Sequence, residues 1–422
     1  MDIGGVLARY DEQVRGRLPE WPPVGAVVER DGPLVRTHYG THGTVQHPPL
    51  PRTTPRAELA ELVRRQQEAF AGRGEPAVWK VHGNDPPELA EELTAAGFAA
   101  DEERSLLVAE FEALGTGGRD GVRHLVLDGS DWCARARGLA VSSGPHAIPL
   151  REFEADGLGL HQLSEAAVLC DRGRMVAVGW AGRPAGTDFV VVGGLTGPYP
   201  ELIRYFAGLG SKRYLADHVA PYCLVEAHGE LRTELAAAGF AEVTTVRTHR
   251  WAPADATPAR TRPVRKTIGA LDDGPVWDRL EREFGFRPST RAFPGFDAPA
   301  PSVTWSLDAV DQGREERIDQ LGRITERALR AVTGPGDTLY WLDWQHIGHA
   351  FEPHRVGGPG RPEWPGSVYP DGDYHLYLDP GLRFGTFGHP WEHTLCVFGA
   401  SLPAVVEAEL TGLLGDPVRR RG

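Results

Sequence analysis

The chain reads as an α+β protein with one domain written twice and a further domain behind it, on three observations. Glu88 to Phe98, ELAEELTAAGF, and Glu230 to Phe240, ELRTELAAAGF, are identical at eight of eleven positions with an offset of 142 residues. Each phrase lies between apolar runs of strand character, so the order strand, helix, glycine stop, strand occurs in both places. After about Ala252 the texture changes, first to proline, alanine and charge, then to tryptophan, histidine, proline and glycine.

The elements follow in order. VWKVHG, Val78 to Gly83, reads as the strand before the first helix, and RYLADHV, Arg213 to Val219, as the strand before the second. Leu89 and Leu93, and Leu231 and Leu235, are four apart and so share one helical face. Gly97 and Gly239 supply left-handed C-caps. SLLVAEF, from Ser105, and VTTVRTHRW, from Val243, read as the closing strands. The offset is that of a whole domain, since solenoid repeats recur every 20 to 50 residues or so. Between the helices, Phe189 to Val192 is a continuous apolar run suited to a strand buried on both faces. It runs into Gly193-Gly194-Leu195-Thr196-Gly197-Pro198-Tyr199-Pro200-Glu201, then a helix through about Leu209.

Length and charge exclude several classes. A chain of 422 residues accommodates about two to four domains. The net charge of -13 argues against a nucleic-acid partner, because phosphate affinity needs many basic contacts. Lysine occurs only at Lys80, Lys212 and Lys266, and Arg419 to Arg421 reads as a solvated tail. The 4 cysteines, Cys133, Cys170, Cys223 and Cys396, lack paired spacing, which fits reduced thiols in a cytosol. The N-terminus does not resemble a signal peptide, and no run of about 18 apolar residues occurs. A cytoplasmic protein without a membrane partner is expected.

The repeated phrase and the order of elements around it resemble the C-terminal half of the GNAT superfamily of acyl-CoA-dependent N-acyltransferases. The second copy, roughly Gly121 to Trp251, resembles a complete domain of that family, and the first, roughly Gly25 to Leu114, a truncated one. Such tandem pairs are of actinobacterial type. The resemblance implies two mixed β-sheets flanked by helices, the first truncated, followed by a small α+β domain. The boundaries expected are a truncated domain over 1–118, an acyltransferase-like domain over 119–253, a linker over 254–274 and a third domain over 275–422. It also implies acetyl-CoA or another acyl-CoA as cofactor, and a small-molecule amine as substrate.

In the family, backbone groups of a splayed strand pair with the pantetheine, and the next loop wraps the pyrophosphate at a helix N-terminus. Carried onto this chain, the cofactor residues are Val191, Val192, Gly193, Gly194, Gly197 and Arg204. Deprotonating the amine needs a base, and the leaving thiolate is aided by an acid. Tyr222 is the candidate acid, and His218 or Glu152 the candidate base, with Asp217 and Glu154 nearby. Two departures support an alternative, a catalytically degenerate scaffold whose C-terminal domain binds a ligand or a partner. The glycine loop has no basic residue before Arg204, and leucines 93 and 235 stand where the family often has a tyrosine. The first copy, with no glycine-rich loop before its helix, reads as a structural half, and His38, His42 and His47 as surface or cleft residues.

From about Pro275 to Val418 the chain resembles an uncharacterised actinobacterial domain family. The wording that carries it is WDRLEREFGFRPS, SVTW, LYWLDWQHIGHAFEPHR, PDGDYHLYLDP and LRFGTFGHPWEHTLCVFG. Arg314 to Val332 reads as a helix, and Leu339 to Trp344 and Asp373 to Leu378 as strands after their aromatic content. His346, His349, His354, His375, His389 and His393 accumulate beside Asp343, Glu352, Asp373 and Glu392. A pocket of Asp343, His346, His354, His389 and Trp391 is expected. If His389 to His393 were helical, its two imidazoles would share one face. A third reading therefore makes His346, His354, His389 and His393 a metal-dependent centre, against an aromatic and histidine-lined pocket in which no metal is expected.

Overall fold

A computed structural model of the chain describes residues 1–422 apart from 16, 19–24, 41, 115–120, 126–162, 185, 197–199, 211–219, 255–263, 269 and 311–313. It divides into two units, Met1–Arg262 and Pro263–Gly422. Both are mixtures of helices and sheet, the α+β class that the sequence predicts.

The first unit runs α1 (Ile3–Gln13), β1 (Val27–Asp31), β2 (Leu34–His38), β3 (Gly43–Gln46), α2 (Arg56–Arg73), β4 (Ala77–His82), α3 (Pro87–Ala95), β5 (Ala99–Ala100), β6 (Arg104–Glu110) and α4 (Phe111–Leu114). The second copy follows as β7 (Val122–Leu125), β8 (Leu163–Asp171), β9 (Arg174–Arg183), β10 (Phe189–Thr196), α5 (Pro200–Gly210), β11 (Tyr222–Ala227), α6 (Gly229–Ala237) and β12 (Ala241–Trp251). The repeated phrase forms the same object twice. Leu89 and Leu93 are buried in one copy and Leu235 in the other. Gly97 and Gly239 take φ of 86° and 97°. The amide of Phe98 reaches back to the Leu93 carbonyl at 2.9 Å, and that of Phe240 to Leu235 at 3.0 Å, closing each helix in the same way.

The two copies share one 12-stranded sheet, in the order β1-β2-β3-β4-β12-β6-β11-β10-β9-β8-β7, with β5 beside β12. Within each copy a parallel pair brackets a helix, β3 with β4 and β10 with β11. The closing strands are exchanged. β12, the last strand of the second copy, lies antiparallel to β4 of the first from Val246↔His82 to Trp251↔Ala77. β6, the last strand of the first copy, pairs with β11 of the second from Tyr222↔Glu110 to Ala227↔Ser105. β12 and β6 also pair with each other, with a bulge between Glu242 and Thr244. Helix α1 covers this junction, where Val6 and Tyr10 pack against Leu106, Val108, Phe189, Leu224, Val243 and Val246.

The strand before α6 is Tyr222–Ala227, whose Cys223, Leu224 and Val225 are all buried. RYLADHV, expected in that place, lies outside the described residues. The apolar stretch of β11 is cut by Glu226, which hides it from a search for uninterrupted runs.

The second unit runs β13 (Arg265–Ile268), α7 (Ala270–Phe284), β14 (Ser302–Ser306), α8 (Arg314–Ala331), β15 (Leu339–Asp343), β16 (Gly348–Phe351), β17 (His375–Leu378), β18 (Phe384–His389), β19 (Thr394–Gly399), α9 (Leu402–Leu414) and β20 (Arg419–Arg421). Its 8-stranded sheet has the order β13-β16-β15-β17-β18-β19-β14-β20. Alternating residues go to opposite faces. Trp341, Tyr377, Leu395 and Val397 pack with α8 and α9, through Leu321, Ile324, Val406 and Leu410. Leu342, Leu376, Leu378, Cys396 and Phe398 pack on the other face with Leu280 and Phe284 of α7, and with Phe286 and Phe296. Burial on both faces is why these strands are so uniformly apolar and aromatic.

The range 254–274 is not all linker. β13 and the start of α7 fall inside it, with Val264 and Ile268 buried. Proline and charge mask a short edge strand there, paired with β16 from Arg265↔Phe351 to Ile268↔Gly348. The Arg419 to Arg421 tail is likewise ordered as β20, with Arg419 paired to Glu392 at 2.5 Å.

Candidate functional sites

Two places in the chain combine chemistry with access. One is the far end of the parallel pair in the second copy. β10 and β11 pair from Phe189↔Tyr222 to Val192↔Val225 and no further, although β10 continues to Thr196. Past Val192 the β10 pairing with β9 is shifted by a bulge between Gly193 and Thr196, and Gly194 takes φ of 61°. A side chain at Gly193 would put its Cβ 2.5 Å from Trp180, so the backbone must be bare there. Leu195 anchors the end of β10 in the core, and Leu202, Ile203 and Phe206 anchor α5. The strands thus part at Gly193 and Gly194, with helix α5 starting at Pro200. Glu201 occupies the first turn of α5 and Arg204 is exposed on it. Gly197, His218 and Glu152 lie outside the described residues.

Tyr222 opens β11 instead of ending it. It faces Phe189 at the start of β10, four residues from the bulge end, with Arg9 donating to its hydroxyl at 3.3 Å. The charged group of β11 at the parting end is Glu226, missed in the sequence because it sits inside an apolar strand. Lys80 holds Glu226 at 2.5 Å.

The equivalent place in the first copy is filled by protein. β3 pairs with β4 only as far as Val45↔Trp79. Beyond that point His47, Leu50, His82 and Asp85 are buried, and Arg15 enters from the end of α1. Arg15 bonds Asp85 at 2.7 Å, Asp11 at 3.0 Å and Asn84 at 3.1 Å. Tyr10 and His82 are joined at 3.0 Å. Burial, with the charges of Arg15 and Lys80 beside it, pushes His82 down to about 2, so its ring is neutral. His38 is buried too, 3.0 Å from Glu75. His38 and His47 are therefore interior residues and not surface ones. Their polar partners let rings be buried that composition alone would leave outside.

The second place is in the C-terminal unit, where the expected pocket separates into parts. Asp343 and His346 come together, Nδ1 to Oδ1 at 3.2 Å, and Asp373 joins them with Oδ2 at 3.6 Å from the same nitrogen. His346 is pushed up from its ordinary value, first by the Asp343 carboxylate beside it. His354 instead bonds the Thr333 carbonyl at 2.9 Å. His389 ends β18, buried among Phe293, Tyr374 and Phe387. The Glu392 amide donates to its Nδ1 at 3.0 Å, and burial pushes it down from its ordinary value. Trp391 lies against Tyr374, ring centroids 5.1 Å apart. His393, at φ of 55°, pairs with Asp308 at 2.9 Å. Residues 390–393 are the turn of the β18–β19 hairpin and not a helix, because strand pairing continues up to His389↔Thr394. The four histidines of the metal reading are therefore engaged separately. Among the described residues, the group with ligand spacing is Asp343, His346 and Asp373. Asp373 stands among the carboxylates beside the histidines in the sequence, but no spacing there singles it out as the partner of Asp343 and His346.

A cavity of about 340 Å³ lies on the other side of the same sheet, bordered by Phe296, Phe387, Glu392, Cys396 and Arg419. Burial pushes the Cys396 thiol up to about 11, which makes it a poor nucleophile.

Residues 268–402 match the family described as "Protein of unknown function (DUF2716)". An uncharacterised protein of Bacillus subtilis, YxiI, is 27% identical over 139 residues, covering 31% of this chain and 85% of that protein. Among solved structures, a GCN5-related N-acetyltransferase from Kribbella flavida covers 60% of this chain and 96% of its own, at 15% identity and a TM-score of 0.39. A tandem GNAT protein from the clavulanic acid biosynthesis pathway covers 60% and 96%, at 13% and 0.36. A conserved protein of unknown function from Staphylococcus epidermidis covers 54% and 93%, at 11% and 0.39. No helix among the described residues is long and apolar enough to cross a membrane.

Proposed function

We propose that the second copy binds an acyl-CoA between the parted ends of β10 and β11 and transfers the acyl group to a small-molecule amine. The observation that carries this reading is the break in pairing after Val192↔Val225, with Gly193 and Gly194 bulged on one side and α5 beginning at Pro200. Backbone amides freed from a ladder must bond something, and an amide-rich pantetheine arm suits a strand edge. The N-terminus of α5 favours an anion. An amine acceptor arrives as a cation, and Glu226, at the same end of β11, is the carboxylate we assign to holding it.

Calorimetric titration of the purified protein with acetyl-CoA and longer acyl-CoAs tests the reading. Binding with a matching rise in Tm is expected, and Gly194→Val should weaken it. No heat at high micromolar ligand, with an unmoved Tm, would sink it.

A second reading, a non-catalytic scaffold, is favoured by Glu201, which sets a negative charge in the helix turn where a diphosphate would lie. The filled position in the first copy points the same way. A null titration combined with ligand binding by the C-terminal unit is its expected signature.

A further inference from the structure

The end of the β15–β17 ladder gathers three ligand atoms, among them a buried carboxylate oxygen without a hydrogen bond. Asp343 closes β15 opposite His375, its cross-strand partner. The chain then turns through Gln345 at φ of 67°, and the His346 amide bonds the Asp343 carbonyl at 3.1 Å. That turn folds the His346 imidazole back over the carboxylate. Asp373 arrives from the loop just ahead of β17. One ligand atom from each of Asp343, His346 and Asp373 lies within 4.8 Å of the others.

A further observation points to a missing positive charge. Asp343 Oδ1 is withdrawn from water and accepts no hydrogen bond, a state that is costly for a carboxylate oxygen. His375, whose side chain is 5% exposed, lies 3.1 Å through Nδ1 from the Ser367 carbonyl. A carbonyl can only accept, so Nδ1 donates there and Nε2 is turned towards the carboxylates. That nitrogen faces Asp371 Oδ1 at 3.2 Å and Asp343 Oδ1 at 3.7 Å. Among the described residues, the ion pairs of Asp343, Asp371 and Asp373 run to these two histidines.

We propose that Asp343, His346 and Asp373 bind one divalent transition-metal cation of the zinc or manganese class. Bonds of roughly 2.1 Å in tetrahedral geometry set donor atoms about 3.4 Å apart, and the separations of 3.2 Å and 3.6 Å around His346 Nδ1 bracket that value. One nitrogen and two oxygens suit such an ion better than calcium or a thiolate-bound metal. His346 is 60% exposed and Asp343 18%, so the site opens to solvent on one side. Three protein ligands with an open position are the pattern that leaves room for a water or an anionic ligand on the metal. This assignment is independent of acyl-CoA binding.

The test uses the full chain, stripped with a chelator and dialysed, then titrated calorimetrically with ZnCl2 and MnCl2 and spectroscopically with CoCl2. One bound equivalent at micromolar or tighter affinity is expected. His346→Ala, on the exposed side, and Asp373→Asn should each weaken it at least about tenfold, while His228→Ala in the other unit leaves it unchanged. The proposal is overturned if the wild type binds no equivalent below millimolar metal, or if His346→Ala and Asp373→Asn bind as the wild type does.

Discussion

At Arg15 the guanidinium is almost wholly buried and answers three side chains, Asp85, Asp11 and Asn84. The Asp85 carboxylate also accepts from the His82 amide at 2.8 Å. Neutralising Asp85 removes the fully buried counterion and leaves Arg15 only the part-buried Asp11, a loss at the lower end of the roughly 3–5 kcal/mol that breaking a buried pair costs. Asp85→Asn is therefore expected to lower unfolding stability by about 3 kcal/mol in urea titration, and a loss below about 1 kcal/mol would mean that water reaches Arg15. None of this network was legible from spacing, because α1 and the loop after β4 meet only on folding. The sequence did mark Gly193 and Gly194, since glycine is a local signal. It could not mark Tyr222 as remote from them, because strand direction and register decide that.

At the scale of elements, the repeated helix and its glycine stop were readable twice over, through the leucine spacing and the C-cap. The partner of each closing strand was not. β6 and β12 have similar patterns, and periodicity states which face of a strand is buried, never which neighbour it bonds. The exchange has a consequence for truncation. Removing residues after Phe240 deletes β12 and strips β4 and β6 of a shared partner, so both copies should lose protection in amide hydrogen exchange. If β1 to β4 stayed protected in that fragment, the first copy would be independent and the exchange of little energetic weight. In the C-terminal unit the HPWEH segment misleads for a related reason. Two histidines four apart suit a helix, but Pro390 to His393 are held as a hairpin turn by the pairing on either side.

For the whole molecule, buried neutral histidines govern the response to acid. His82 in one unit and His349 in the other are pushed from 6.5 down to about 2 and about 3, chiefly by burial. The native rings stay neutral while the unfolded ones take up protons below pH 6.5. The unfolded state then binds more protons, so stability rises with pH through this window and is lost as pH falls. Each such group contributes a slope of about 1.4 kcal/mol per pH unit below its unfolded value. Urea midpoints should be level above about pH 7.5 and decline from about 6.5 towards 5, before the carboxylates titrate. A flat profile between those limits would contradict the burial of both rings.

By itself the sequence determined the α+β class, the duplication, the helices with their stops, and the glycine loop, because each rests on contacts between residues close along the chain. Only the tertiary structure decided that the two copies exchange their closing strands, that the first copy's position is filled from α1, and that Asp343, His346 and Asp373 meet while His354, His389 and His393 go elsewhere. Those outcomes depend on register and on which surfaces meet, and the free energy that selects them comes from burial and charge pairing between segments far apart in the chain.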